Sequence, residues 1–207
     1  MVKEHHYRQD YLEKKIIYFN AVGKENTDHA LKLAKERFDD LRLKKVIVAT
    51  SFGNTGVKAL EYFKGEELVV VNSMYGFREP GKESLEPENK KKLQDSGAIL
   101  VYATHLFAGI DRSISRKYSG ITFTQLIGQV FKMLGEGFKV SIEIAIMAAD
   151  CGAVPVDKEV IAIGGTGRGC DTAIVLIPSH SNNFFNLQFK EIICMPRIRH
   201  LKDKIIL

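Results

Sequence analysis

A chain of 207 residues has room for one domain with short attachments and not for two of ordinary size. Its 45% hydrophobic and 27% charged residues exclude global disorder, and 17 Gly with 5 Pro exclude a collagen-like or low-complexity chain. Thirty Lys and Arg against 25 Asp and Glu leave a net charge of +5, which suits an anionic small ligand and is too dispersed to indicate nucleic acid.

In chain order, residues 1–14 form a polar N-terminal arm without a clear period, and residues 15–207 read as a single α/β domain. His5 and His6 in the arm have no third ligand at metal-binding spacing and are expected to be solvated. Lys15–Phe19 is a strand. Ala30, Leu31, Ala34, Phe38 and Leu41 recur at helical spacing, which predicts a helix over Thr27–Leu41. Val46–Thr50 is a buried strand, followed by the turn SFGNTG and a helix from Thr55 to Lys64. Leu68–Asn72 is a further strand, and Pro87 opens a short polar helix to Ser96. Ala98–Ala103 is a fourth strand. Two helical patterns follow, Thr124–Leu134 and Lys139–Ala149. Val160–Ile163, Ala173–Ile177 and Glu191–Met195 are strands with no helix between them. Near-continuous apolar strands joined by helices predict a three-layer α/β/α domain with a mostly parallel sheet, and the last strands require at least one antiparallel neighbour near the C-terminus.

Cys151, Cys170 and Cys194 stand 19 and 24 residues apart, which fits neither a zinc site nor a redox pair. Scattered thiols predict a reduced, cytoplasmic chain. No apolar signal region and no run long enough to span a membrane is visible, because Glu143 interrupts the longest apolar stretch.

Two loops carry the chemistry. In Thr50-Ser51-Phe52-Gly53-Asn54-Thr55-Gly56, between a strand and a helix, hydroxyls, glycines and unpaired amides combine into an expected phosphate cup. It is not a Walker A loop, since no GK[ST] closes it. The second loop, Gly164-Gly165-Thr166-Gly167-Arg168-Gly169, is followed by a strand, so it is no dinucleotide fingerprint; its amides and its arginine still suit a phosphate or carboxylate. If the strands before the two loops run parallel, both loops share one sheet edge and grip one ligand.

ALKLAKERFDDLRLKKVIVATSFGNTGVKALEYF resembles the segment that opens the C-terminal domain of pyruvate kinase, and VIAIGGTGRGCDTAIVLIP resembles the closing strand, glycine loop and strand of that domain. With SISRK, EIAIMAADCGAVP and NNFF…KEIICMPR, the chain from about residue 15 resembles a stand-alone pyruvate kinase alpha/beta domain-like family of uncharacterised proteins. The resemblance implies binding of a phosphorylated compound, with flavin mononucleotide (FMN) a candidate cofactor, and no kinase activity, because no catalytic barrel fits this length. A flavin ring needs an apolar or aromatic wall; Met74, Tyr75, Gly76 and Phe77 after one strand, and Phe107 after the next, are placed to supply it.

His105, Arg116 and Glu143 are the candidates for chemistry, and they sustain an alternative reading: a flavin-dependent oxidoreductase or an acid/base enzyme on a phosphorylated substrate. Glu143, among isoleucines, needs a partner, for which Arg112 or Arg116 is expected; Asp150 lies two turns further along the same face. His180, Asn182 and Asn183 are expected at the opposite sheet edge, and Cys170 as a small buried residue. The apolar FFNLQFKEIICM segment is expected to pair or pack with a second copy in a homo-oligomer. No partner nucleic acid or membrane is expected.

Overall fold

Runs of β-branched residues build the centre of a seven-stranded sheet. The computed structural model describes residues 11–198. His5 and His6, most of the polar arm, and residues 199–207 lie outside the described residues. The strands are β1 (Ile17–Phe19), β2 (Val46–Ala49), β3 (Leu68–Ser73), β4 (Ile99–Ala103), β5 (Val160–Gly164), β6 (Thr172–Ile177) and β7 (Gln188–Pro196). The helices are α1 (Thr27–Asp40), α2 (Asn54–Ala59), α3 (Pro87–Asp95), α4 (Gly109–Tyr118), α5 (Phe123–Lys132) and α6 (Glu136–Asp150). The strand order is β1-β7-β6-β5-β2-β3-β4. Only β6 runs against its neighbours, being antiparallel to both β5 and β7. All other pairings are parallel.

Alternation along the strands sends side chains to two cores, one on each face. Val46, Val48, Leu68, Val70 and Ile161 pack with Leu31 and Phe38 of α1, Ala59 of α2 and Leu93 of α3. Ile47, Val69, Val71, Val160 and Ala162 pack with Ile142, Ala145 and Ile146 of α6. Parallel strands buried on both sides read as unbroken apolar runs for this reason.

The structure departs from the expectations in two of these elements. The helix expected to Lys64 ends at Ala59, because bonds from Leu60 N–H to Val57 O and Glu61 N–H to Lys58 O tighten the chain to an i+3 pattern. The whole of α4 lies where no helix was predicted; none of its residues is buried, so no core-facing stripe marks it. The C-terminal apolar segment forms β7, which pairs along β6 on one side and with β1 only at Cys194–Pro196 on the other.

Candidate functional site

β2 and β5 are parallel neighbours, with Val46 opposite Ile161 and Val48 opposite Ile163. Their carboxyl ends therefore open on one sheet edge, the place where open α/β sheets receive ligands. A cavity of about 1170 Å³ lies there, lined by both predicted loops: Thr50, Ser51, Phe52, Asn54 and Thr55 from one, Gly165, Thr166, Gly167, Arg168 and Gly169 from the other.

The first loop is held from beneath. Gly53 has φ +100°, and a Cβ there would collide with Asn89 and Leu85. Its N–H donates to Thr50 Oγ1 at 3.0 Å. The Asn89 amide is shared among Phe52 O (3.0 Å), Asn54 Oδ1 (2.9 Å) and Glu86 Oε2 (3.0 Å), pinning the loop to α3. Gly56 faces away from the cavity, against Val70 and Leu93. With only six residues, α2 adds little dipole, so the loop's capacity for an anion rests on hydroxyls, amides and nearby cations.

The second loop is anchored by Asp171, fully buried, whose Oδ2 accepts from Thr166 N–H (3.2 Å) and from Gly23 N–H (3.0 Å). Gly164 ends β5 beneath this loop; a Cβ there would strike Gly137 O and Ser141, so the start of α6 closes directly on the strand.

Six ionisable side chains besides His105 face the cavity. The three carboxylates already have partners within the chain. Glu86 accepts from Asn89, Glu136 pairs with Lys132 at 2.9 Å, and Glu143 accepts from Lys139 Nζ and from Phe107 N–H (3.0 Å). The three cations, Lys24, Arg78 and Arg168, form no ion pair among the described residues. Arg78 lies over the Phe52 ring, 4.7 Å from its centroid. Val71, Val140, Ile144 and Met147 form an apolar wall.

His105 lines the cavity as expected. Burial pushes its pKa below the ordinary value of 6.5; Glu143 opposes this, and Lys139 and Arg112 reinforce it. Its Nδ1 is buried without a hydrogen-bond partner, and so is Nδ2 of Asn72 on the neighbouring strand.

Other expected residues lie elsewhere. Met74, Tyr75, Gly76 and Phe77 do not line the cavity, because a tight turn, with Gly76 N–H donating to Lys82 O at 2.9 Å, carries them aside. Tyr75 packs on Tyr102, and Phe77 lies on the His105 ring at 4.6 Å with the Arg112 guanidinium 4.9 Å from its own centroid. Phe107 belongs to the core, against Phe131 and Phe184. Arg116 is exposed on α4 and does not reach Glu143, and Arg112 is stacked on Phe77. The expected arginine partner of Glu143 is thus replaced by Lys139, one turn earlier on the same helix. Asp150 sits at the far end of α6, accepting from Ser181 N–H (2.9 Å) and facing His180 Nδ1 at 3.4 Å, so it forms no pair with Glu143 in the cavity. Cys170 is buried, with burial pushing its thiol up, so no reactive thiolate stands in the loop.

The sequence reading missed Lys24, Asn72, Ser73 and Arg78 as lining residues. Asn72 and Ser73 end β3 at the ligand edge, a position that marks them without further information. Among the described residues, no cluster of His, Cys, Asp and Glu could hold a metal ion, and no helix is long and apolar enough to cross a membrane. No protein-family model matches the chain.

Proposed function

We propose that this protein binds a phosphorylated small molecule in the cavity between the Thr50–Thr55 and Gly165–Gly169 loops. The observation that carries this reading is the imbalance of pairing: Glu136 and Glu143 are each matched by a lysine and Glu86 is hydrogen-bonded to Asn89, while Lys24, Arg78 and Arg168 form no ion pair among the described residues and outnumber that one unmatched carboxylate. A charge-assisted bond to phosphate is worth more than a neutral one, and arginine adds a planar fork.

FMN is the ligand we propose. The cavity exceeds the roughly 300–1,000 Å³ common for small-molecule sites, so a mononucleotide has room. Thr50, Ser51, Thr55, Lys24 and Arg168 would hold the phosphate, and Val71, Val140, Ile144 and Met147 would face the ring in place of the aromatic wall. Bound flavin supplies one- or two-electron transfer. A pyruvate kinase C-terminal-like fold is part of the same proposal, supported by the strand–cup–helix and strand–glycine loop–strand units meeting at one edge. The test is a fluorescence titration of FMN against riboflavin. FMN should bind at least about 100-fold more tightly, as two charge-assisted hydrogen bonds of ~1.5 kcal/mol each require. Equal affinities would overturn the phosphate assignment.

The acid/base alternative keeps one specific support, the neutral His105 beside the Lys139–Glu143 pair. Arg116, away from the cavity, has no part in it.

A further inference from the structure

The carboxyl ends of β5, β2, β3 and β4 stand in a row along the cavity edge. Three strand spacings separate the first from the last, about 14 Å. The unpaired cation of the glycine loop, Arg168, follows β5; Asn72 and His105 belong to the β3–β4 end. Asn72 is 2% exposed, and its Oδ1 is committed to Ser73 N–H at 2.6 Å. That bond fixes the amide so that Nδ2 is left as a buried donor without an acceptor. Leaving such a group unmatched is costly, and in native proteins it calls for a reason. His105 stands three residues beyond Tyr102, the β4 residue registered opposite Asn72, and its Nδ1 is likewise unmatched. Phe77 stacks on the imidazole and so orients it by packing, with no hydrogen bond at Nδ1. The nearby Glu143 is matched by Lys139, and the Arg112 guanidinium lies over the Phe77 ring, outside the cavity lining.

We infer that the β3–β4 end of the cavity recognises an uncharged cyclic amide or imide head group, with Asn72 Nδ2 donating to its carbonyl oxygen and His105 Nδ1 accepting from its adjacent N–H. This rests on the proposed binding of a phosphorylated ligand and assigns the chemistry of that ligand's other end. A neutral imidazole offers one acceptor nitrogen, and the Asn72 amide offers one donor; the pair matches a carbonyl beside an N–H. The test compares two probes, FMN and inorganic phosphate, on the wild type and on Asn72→Asp, which keeps Oδ1 and replaces only the donor. FMN should weaken about tenfold or more, the effect of one lost hydrogen bond, while inorganic phosphate changes by less than about twofold. Unchanged FMN affinity overturns the inference, and so does an equal loss for both probes, which would be a charge effect. Should Asn72→Asp not fold, His105→Phe is scored by the same criteria. A wild type that binds neither probe defeats the phosphate reading itself, and this inference with it.

A separate observation concerns the exposed apolar residues of α4 and α5. Ile110, Ile114 and Tyr118 recur every fourth residue on α4 and are 78%, 42% and 71% exposed. Phe123, Val130 and Met133 on and after α5 are 87%, 55% and 72% exposed. Large apolar side chains at such exposures present on the order of 1,000 Å², more than the few hundred usual on a monomer and above the ~800 Å² each partner contributes to a stable interface. We propose that these exposed faces of α4 and α5 form the contact with a second copy of the chain, related by a twofold axis. Sedimentation velocity should show a dimer that Phe123→Glu with Val130→Glu converts to a monomer of unchanged melting temperature. A monomeric wild type at about 100 µM, well above the micromolar range typical of such areas, overturns this. So does a dimer that persists in the variant. Binding of a monomeric wild type to anionic vesicles would assign the face to a lipid surface instead.

Discussion

Asp171 and Gly23, 148 residues apart, are joined by a hydrogen bond of 3.0 Å from the Gly23 amide to the buried carboxylate. The same oxygen accepts from Thr166 N–H, so one side chain ties the β1–α1 connection to the glycine loop and thereby sets Lys24 beside Arg168 at the cavity.

Asp171→Ala should strand those two amides. Unfolding in urea should show a loss of about 2–4 kcal/mol, since each buried, unmatched N–H costs about 1–3 kcal/mol. Phosphate affinity should fall as well, because the loop loses its anchor. Stability within 0.5 kcal/mol of the wild type, about the spread of ordinary surface substitutions, would contradict this account.

Asn89→Ala removes the amide that holds Phe52 O and Asn54 Oδ1 in place. A destabilisation of about 1–2 kcal/mol is expected, with weaker binding of phosphate by calorimetry although Asn89 is not among the cavity-lining residues. Wild-type phosphate affinity in a folded variant would show that the cup needs no such support.

Lys139 and Glu143 are 11% and 3% exposed at their side chains. Removing one leaves a buried charge, so Lys139→Met or Glu143→Leu alone should cost about 3–5 kcal/mol. The double variant should recover most of that loss, as apolar replacements of buried pairs do. Additive losses in a double-mutant cycle would mean that the two do not act as a pair.

Burial holds the His105 pKa below 6.5, so the unfolded chain takes up the proton first as pH falls. The native state is therefore fully favoured above pH 6.5 in this respect and loses stability as pH drops through that value toward the folded pKa. His105→Asn should flatten the stability profile between pH 7.5 and 5.5, followed by chemical denaturation. An unaltered slope would place the titration elsewhere.

Burial pushes the Cys194 thiol up to about 12 and raises that of Cys170 as well, while Cys151 is exposed. Iodoacetamide at pH 8 should label Cys151 in the native protein and leave the other two until denaturant is added, as peptide mass spectrometry would report. Rapid native labelling of Cys170 would mean that the glycine loop opens.

The buried strands and the two loops were legible because their residue types leave few alternatives: VIVA and LVVVNS tolerate little but a doubly covered sheet. What stayed hidden had mixed causes. Arginines looked like the natural partners of Glu143, yet Lys139 at i−4 meets it as soon as the helix forms. Tyr75 and Phe77 looked like a ring wall until the turn at Gly76 carried them off. No local pattern announces that the three-residue β1 docks on β7.

That last pairing has a kinetic consequence. Ile17 lies opposite Cys194, so the outermost ladder joins residues 177 positions apart in the chain. Closing so long a loop is slow, and β1 stays unmatched until β7 has been made and has entered the sheet. Lys24, just downstream of that strand, then takes its place in the cavity lining only after this long-range closure.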